Sequence, residues 1–223
     1  MNRLSTAALA VAATAIAPAA QAHSGLVCLR DVDASIVQDM RYAGPNNFTG
    51  DPVPGYEAAE CWLARPAAEA LAKVQAELAK AGKTLIVYDC YRPVRAVRHF
   101  VSWAAKQGDK RDPAYFPRVD GSQLIAQGYI AARSGHSTGL AIDLSFGDAT
   151  TREPADTGGP FDLFDYISHT NAKVPAEARA NRNFLVDAMA KAGFANYAAE
   201  WWHYSLRGKA PEQDVPVRAC GGR

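Results

Sequence analysis

The run LAIDLSF (140–146) constrains the fold more than any other stretch of the chain. Its apolar and branched residues read as a strand buried in a core. Yet it carries Asp143, and the preceding SGHSTG carries His136, seven residues upstream. A buried strand needs neither group, and a charged side chain in a core demands a partner. The fold must therefore bring an ion or further polar side chains to this strand.

The rest of the chain supplies one domain's worth of structure. Its 223 residues are 48% hydrophobic and 21% charged, enough for a sizeable core. The opening MNRLSTAALAVAATAIAPAAQA has one early arginine, an alanine-rich apolar stretch and Ala20-Gln21-Ala22. That is the layout of a secretory signal peptide over residues 1–22, leaving residues 23–223 as the catalytic domain. A membrane anchor fits less well, because the apolar part is short and Pro18 interrupts it. Loss of Arg3 with the signal leaves the mature chain with balanced charge. A neutral chain without a basic stripe argues against nucleic acid, and against a membrane surface, as a partner.

Four cysteines remain: Cys28, Cys61, Cys90 and Cys220. In an exported protein an even number reads as disulfides, and four cysteines allow three pairings. The pairing expected is Cys28–Cys220, tying the two termini, with Cys61–Cys90 tying a helix approach to a strand end. None forms a C-x-x-C pair, so a thiolate zinc site is disfavoured.

Periodicity places a helix from Pro66 to Gly82, with Leu71, Val74 and Leu78 facing a core. TLIVYDCY (84–91) reads as a strand, and a helix follows from Pro93 with Val94, Val97, Phe100 and Val101 on one face. A polar loop spans 147–160, a helix runs from about Ala176 to Ala192 before Gly193, and EWWHYSL (200–206) reads as the last strand. The segment Tyr42 to Tyr56 is a long ordered loop rich in Gly, Pro and Asn, and its Asn47-Phe48-Thr49 formally matches a glycosylation sequon. Helices and strands mix without βαβ alternation. The fold class is α+β, a single domain with a small, mostly antiparallel sheet flanked by helices.

Of five histidines, His99 and His169 read as surface residues and His23 as a chain end. His136 and His203 remain. With Asp143 they match the ligand number of a catalytic zinc, which takes three protein ligands and keeps a fourth position open. Gly139 lets the backbone bend between the first two. Glu200, three residues before His203, is a candidate base for the attacking water. The spacing equally permits His136 and Asp143 simply to hydrogen-bond each other, with Glu200 a solvated acid. A strict strand also puts residues 200 and 203 on opposite faces, so the metal reading needs a turn or bulge at Trp201-Trp202.

SGHSTGLAIDLS followed by EWWHY resembles the zinc D-alanyl-D-alanine dipeptidases of the vancomycin-resistance type. YDCYRP (88–93) and YAGPNNFTG (42–50) resemble two further blocks of that family, and the likeness spans about residues 36 to 206. The resemblance implies one zinc per chain in a central cleft, held by His136, Asp143 and His203, with Glu200 as general base. It implies Arg92 as the cation beside the scissile carbonyl, where a fixed guanidinium stabilises developing negative charge. An arginine before Pro93 that only caps a loop is the alternative. Ser134 and Asp162 align with residues that hold the substrate's free ammonium, although Asp162 would also suit a helix N-cap. Tyr42 falls in a matching block. Asp89 either orients a ligand or Arg92, or satisfies amides at a strand end. Trp201 and Trp202 read as packing around the site.

The activity so implied is hydrolysis of a small substrate, the dipeptide D-alanyl-D-alanine; the signal peptide and the cysteines depart from the cytoplasmic resistance enzymes and point to work outside the cytoplasm, in the periplasm or the medium. The rival readings are a D,D-carboxypeptidase that trims peptidoglycan stem peptides and a non-catalytic zinc or peptidoglycan-binding module.

Overall fold

The structure is a computed structural model that describes residues 25–221. The segment 1–22, its expected cleavage site and His23 lie outside the described residues. In chain order the elements are β1 (Leu26–Cys28), α1 (Leu29–Val32), β2 (Val37–Gln38), β3 (Trp62–Ala64), α2 (Arg65–Ala79), β4 (Lys83–Asp89), α3 (Val94–Ala104), β5 (Ala141–Asp148), α4 (Ala176–Lys191), β6 (Phe194–Asn196) and β7 (His203–Leu206). Five strands form one sheet in the order β2-β4-β5-β7-β6, while β1 and β3 form a separate antiparallel ribbon. Within the sheet only β2 and β4 run parallel. This is the α+β architecture expected from the sequence.

β5 sits at the centre, and every residue of it except Asp148 is buried. A strand covered on both faces reads as a continuous apolar run, which is why LAIDLSF lacks alternation. α2 buries Leu71, Val74 and Leu78 and packs against β4 and α4. Pro66 stands in its first turn, where a missing N–H costs nothing, and Gly82 turns the chain into β4 with φ +66°. α3 begins after Pro93 as expected and buries Val97 and Phe100.

Three expectations are corrected by the structure. The last strand starts at His203, not Glu200, because the chain turns at 200–202 and the His203 amide donates to the Glu200 carbonyl at 3.3 Å. The turn lets both Trp201 and Trp202 enter the core, edge to face at 5.4 Å, which adjacent residues of a strand cannot do. β4 ends at Asp89, since the Tyr91 amide leaves the ladder to bond the Trp62 carbonyl. Asn47 is buried, and its Nδ2 donates to the Gly44 and Asp51 carbonyls at 2.7 and 3.0 Å. The sequon is a brace of its own loop.

The cysteines stand at disulfide distance in the expected pairing. The Cα separations are 5.9 Å for Cys28 and Cys220 and 5.3 Å for Cys61 and Cys90. Among the described residues no helix is long and apolar enough to cross a membrane.

Candidate active site

Before β5 the chain makes a one-turn 3₁₀ helix, Gly135–Thr138, in which the Ser134 hydroxyl accepts from the His136 amide at 3.3 Å. Gly139 closes that turn at φ +74°. A Cβ there would lie 2.4 Å from Leu26 Cδ2 and 2.8 Å from the Ala64 nitrogen, so only glycine fits. The turn carries His136 back over the sheet. Beneath it, strand register sets Asp143 between Asp89 of β4 and His203 of β7.

His203 Nδ1 lies 2.9 Å from Asp143 Oδ1, and His136 Nε2 lies 3.3 Å from the same oxygen. The two ring nitrogens are 3.1 Å apart. His136 Nδ1 is 2.7 Å from the Cys90 carbonyl, which can only accept, so Nδ1 carries the proton and the Nε2 lone pair faces inward. His203 Nε2 lies 3.3 Å from Ser205 Oγ, leaving Nδ1 toward the cluster. One donor atom from each of these three residues can be chosen so that all lie within 4.8 Å of one another, a spacing a metal ion can bridge. Cys28, Glu60 and Cys220 also cluster, but there the two sulfurs face each other at disulfide distance.

A second layer fixes the first. Asp89 is 0% exposed and accepts from Tyr56 Oη at 2.6 Å, the Cys90 amide at 2.9 Å and Arg92 Nε at 2.8 Å. So anchored, Arg92 places Nη2 3.5 Å from Asp143 Oδ2 and stacks near the rings of Tyr42 and Phe100. Burial disfavours the Arg92 cation, but Asp89 and its neighbours outweigh it and keep the guanidinium charged. Burial likewise works to raise the Asp143 carboxyl, yet His136 and His203, when their rings are protonated, hold it well below the usual carboxylate range.

The cleft above these groups has a volume of about 270 Å³, and its walls include Arg92, Ser134, Asp162, Tyr197, Glu200 and Trp202. The turn at Trp201–Trp202 brings Glu200 Oε2 to 3.7 Å from His203 Nδ1, on the cluster side that a straight strand would deny it. Burial pushes the Glu200 carboxyl up to about 7; Asp143 adds to the rise while His203 and Arg92 oppose it. Asp162 is buried, with φ +62°, and both its oxygens accept from Tyr42 Oη, at 2.8 and 3.1 Å. Burial, and then the charge of Asp143, raise its carboxyl well above the ordinary value. It caps no helix; Asp165, three residues on, takes that role by accepting from the Ile167 amide.

The expected residues therefore line one cleft, except Asp89, which lies buried beneath it. Tyr42 lines the cleft and donates to Asp162, Asp89 acts on Arg92, and Trp202 packs edge to face on Phe161 at 5.5 Å. Tyr56, Ser205 and the Cys90 carbonyl were not singled out by the sequence. They hold their partners across 33, 2 and 46 residues of chain, and only the first and last are remote enough to be invisible to local pattern.

A family model described as D-ala-D-ala dipeptidase matches residues 22–219. A D-alanyl-D-alanine dipeptidase of Streptomyces coelicolor is 43% identical over 179 residues, covering 79% of this chain and 88% of that protein. One from Enterococcus faecium is 38% identical over 185 residues, covering 82% and 92%. One from Escherichia coli is 34% identical over 182 residues, covering 81% and 84%. The match runs almost the full length of the described chain and takes in every residue of the cleft, so this chain belongs to the D-ala-D-ala dipeptidase family of peptidases.

Proposed function

We propose that the chain hydrolyses D-alanyl-D-alanine to two D-alanines at a single zinc ion. The donor set fits that ion: two imidazoles and one carboxylate, buried, with the His136 tautomer fixed by a backbone carbonyl. Bound there, zinc would supply Lewis acidity, making water a competent nucleophile at neutral pH and polarising the scissile carbonyl.

The remaining work falls to the chain's own residues. Glu200 accepts a proton from the attacking water on its carboxylate as the water oxygen bonds the carbonyl carbon. It then returns that proton to the leaving nitrogen as the C–N bond breaks. A carboxyl raised by burial lies near enough to neutrality for both transfers, and a cation at the ligands shifts it back toward the accepting form. Arg92, clamped by Asp89, offers a fixed guanidinium to the oxygen on which negative charge develops. Asp162 receives the substrate's α-ammonium, and the Tyr42 hydroxyl orients it. Binding that cation returns Asp162 to its charged form and makes a free amino end part of the recognition. This favours a dipeptide over a stem peptide, whose chain continues at that nitrogen.

The observation that carries the reading is the turn at Trp201–Trp202, which sets Glu200 beside the three ligands in the cleft that also holds Asp162. A non-catalytic binding module would have no use for that arrangement. The test is Glu200→Gln, assayed for zinc content and steady-state kinetics on one sample. Zinc should stay at the parental level while kcat falls by ~10²–10⁴, the effect of losing a positioned acid–base group. Full zinc with near-parental kcat would remove Glu200 from the mechanism.

We also propose that residues 1–22 direct export and are removed, so that the enzyme acts on dipeptide released by wall turnover. The two cysteine pairs at disulfide distance support an oxidising compartment.

A further inference from the structure

α4 presents Ala178, Arg182, Leu185 and Met189 to the core, and one of the four is a cation. Arg182 is 1% exposed. None of its hydrogen bonds goes to a carboxylate. Nε donates to the Thr157 carbonyl at 2.7 Å, Nη2 to Ile167 at 3.0 Å and Nη1 to His169 at 2.7 Å. Its guanidinium also lies over the Trp201 ring at 5.9 Å. Burial, with repulsion from Arg179, lowers its affinity for the proton to a pKa of about 10.

A core helix position is ordinarily apolar, and a buried cation there costs stability unless every N–H is matched. What this one holds together is specific. Thr157 and Ile167 each lie five residues from Asp162, one on either side. Between them the chain passes Asp162 in a left-handed conformation, which a non-glycine residue keeps only when its surroundings enforce it. The fourth contact, to the Trp201 ring, reaches the residue after Glu200.

We infer that Arg182 is a positioning residue for substrate selection. It clamps both feet of the loop presenting Asp162 and steadies the turn presenting Glu200, so fixing the enzyme's preference for a free α-ammonium. The inference rests on the reading of Asp162 as the ammonium's partner. A lysine could keep the charge but not the planar fork that reaches three carbonyls at once.

The test compares D-Ala-D-Ala with N-acetyl-D-Ala-D-Ala, which has the same scissile bond and no ammonium, on the zinc-loaded protein. Parent, Asp162→Asn and Arg182→Lys are assayed side by side, with turnover of the acetylated compound followed at high enzyme concentration. Arg182→Lys should lower the free-to-acetylated ratio of kcat/KM by at least about tenfold, the loss expected when a charged hydrogen bond is misplaced. The change should lie mainly in KM for the free dipeptide, with zinc content parental. Equal fold-losses on both substrates, which leave the ratio unchanged, would make Arg182 merely structural and overturn the inference, as would no loss on either substrate. A ratio lost in Asp162→Asn but kept in Arg182→Lys sinks this inference alone. A ratio kept in Asp162→Asn sinks the ammonium reading and Arg182's part in it. Arg182→Gln serves the same comparison if the lysine variant does not accumulate as folded protein.

Discussion

Asp89→Asn is the most informative single change outside the ligand set. The substitution keeps the shape of the side chain and removes its charge. One oxygen can still accept from Tyr56 Oη and the Cys90 amide, which now stand 2.6 and 2.9 Å from Oδ1. The other oxygen becomes an NH₂ facing Arg92 Nε and Nη2, each 2.8 Å away, so donors meet donors. Breaking a buried ion pair by removing one partner typically costs ~3–5 kcal/mol. Arg92 retains Asp143 at 3.5 Å, which places the expected loss at the low end, about 3 kcal/mol. For a chain of this size that corresponds to a Tm lower by about 6–12 °C. The guanidinium, freed from Asp89, should also swing toward Asp143, so kcat should fall while zinc is retained. Denaturant unfolding of parent and variant, disulfides intact and zinc fixed, measures the first effect. A difference below about 1 kcal/mol would mean that the pair contributes no more than an exposed salt bridge, and the anchoring of Arg92 would need another source.

His203→Ala should reduce bound zinc from about one per chain to near none by elemental analysis, since two ligands do not make a structural or catalytic site. Full zinc in that variant would strike His203 from the ligands. Thiol titration of the native protein in denaturant without reductant should find about zero free sulfhydryls; two or more would refute the disulfides and weaken the case for export. Stability should also decline in acid. The Thr151 and Thr150 amides hold Asp148 below the usual carboxylate range, and Arg118 and Arg95 do the same for Asp165 and Asp214 against the opposing effect of burial. Folded values below the unfolded ones mean that the unfolded chain binds more protons, so this stabilisation is complete above about pH 4 and disappears below it. Urea midpoints that stay level from pH 5 to about pH 2.5 would contradict the assignment.

The long elements were legible because burial leaves a period in the sequence. α2 repeats apolar residues at helical spacing, α4 is marked by its stop at Gly193, and β4 and β5 are continuous apolar runs bounded by turns. β1, β2, β3 and β6 have two or three residues each, too few to carry any period. The turn at Trp201-Trp202, which the metal reading required, could not be derived for a different reason. Aromatic residues favour strands, so local preference does not announce a turn that lets both indoles be buried edge to face. The gathering of His136, Asp143 and His203 with Glu200 beside them was readable from SGHSTGLAIDLS and EWWHY, whereas Arg182 was one arginine among several in a polar helix. Its burial is a property of the loop it faces.

Sheet order also governs when the site can come into being. His136 and Asp143 are neighbours in sequence, but His203 arrives sixty residues later, on a strand that pairs with β5. Until β7 docks, the nascent chain offers two donors and an unfilled flank of its central strand. Such a long-range pairing closes a loop of sixty residues, whose chain entropy must be met before the contacts reward it. Tight metal capture must follow it, because affinity requires all three donors together. The metal is therefore selected where folding finishes and not where synthesis begins. If export proceeds as proposed, with the chain crossing unfolded, the available ions of the far compartment would decide what the enzyme carries.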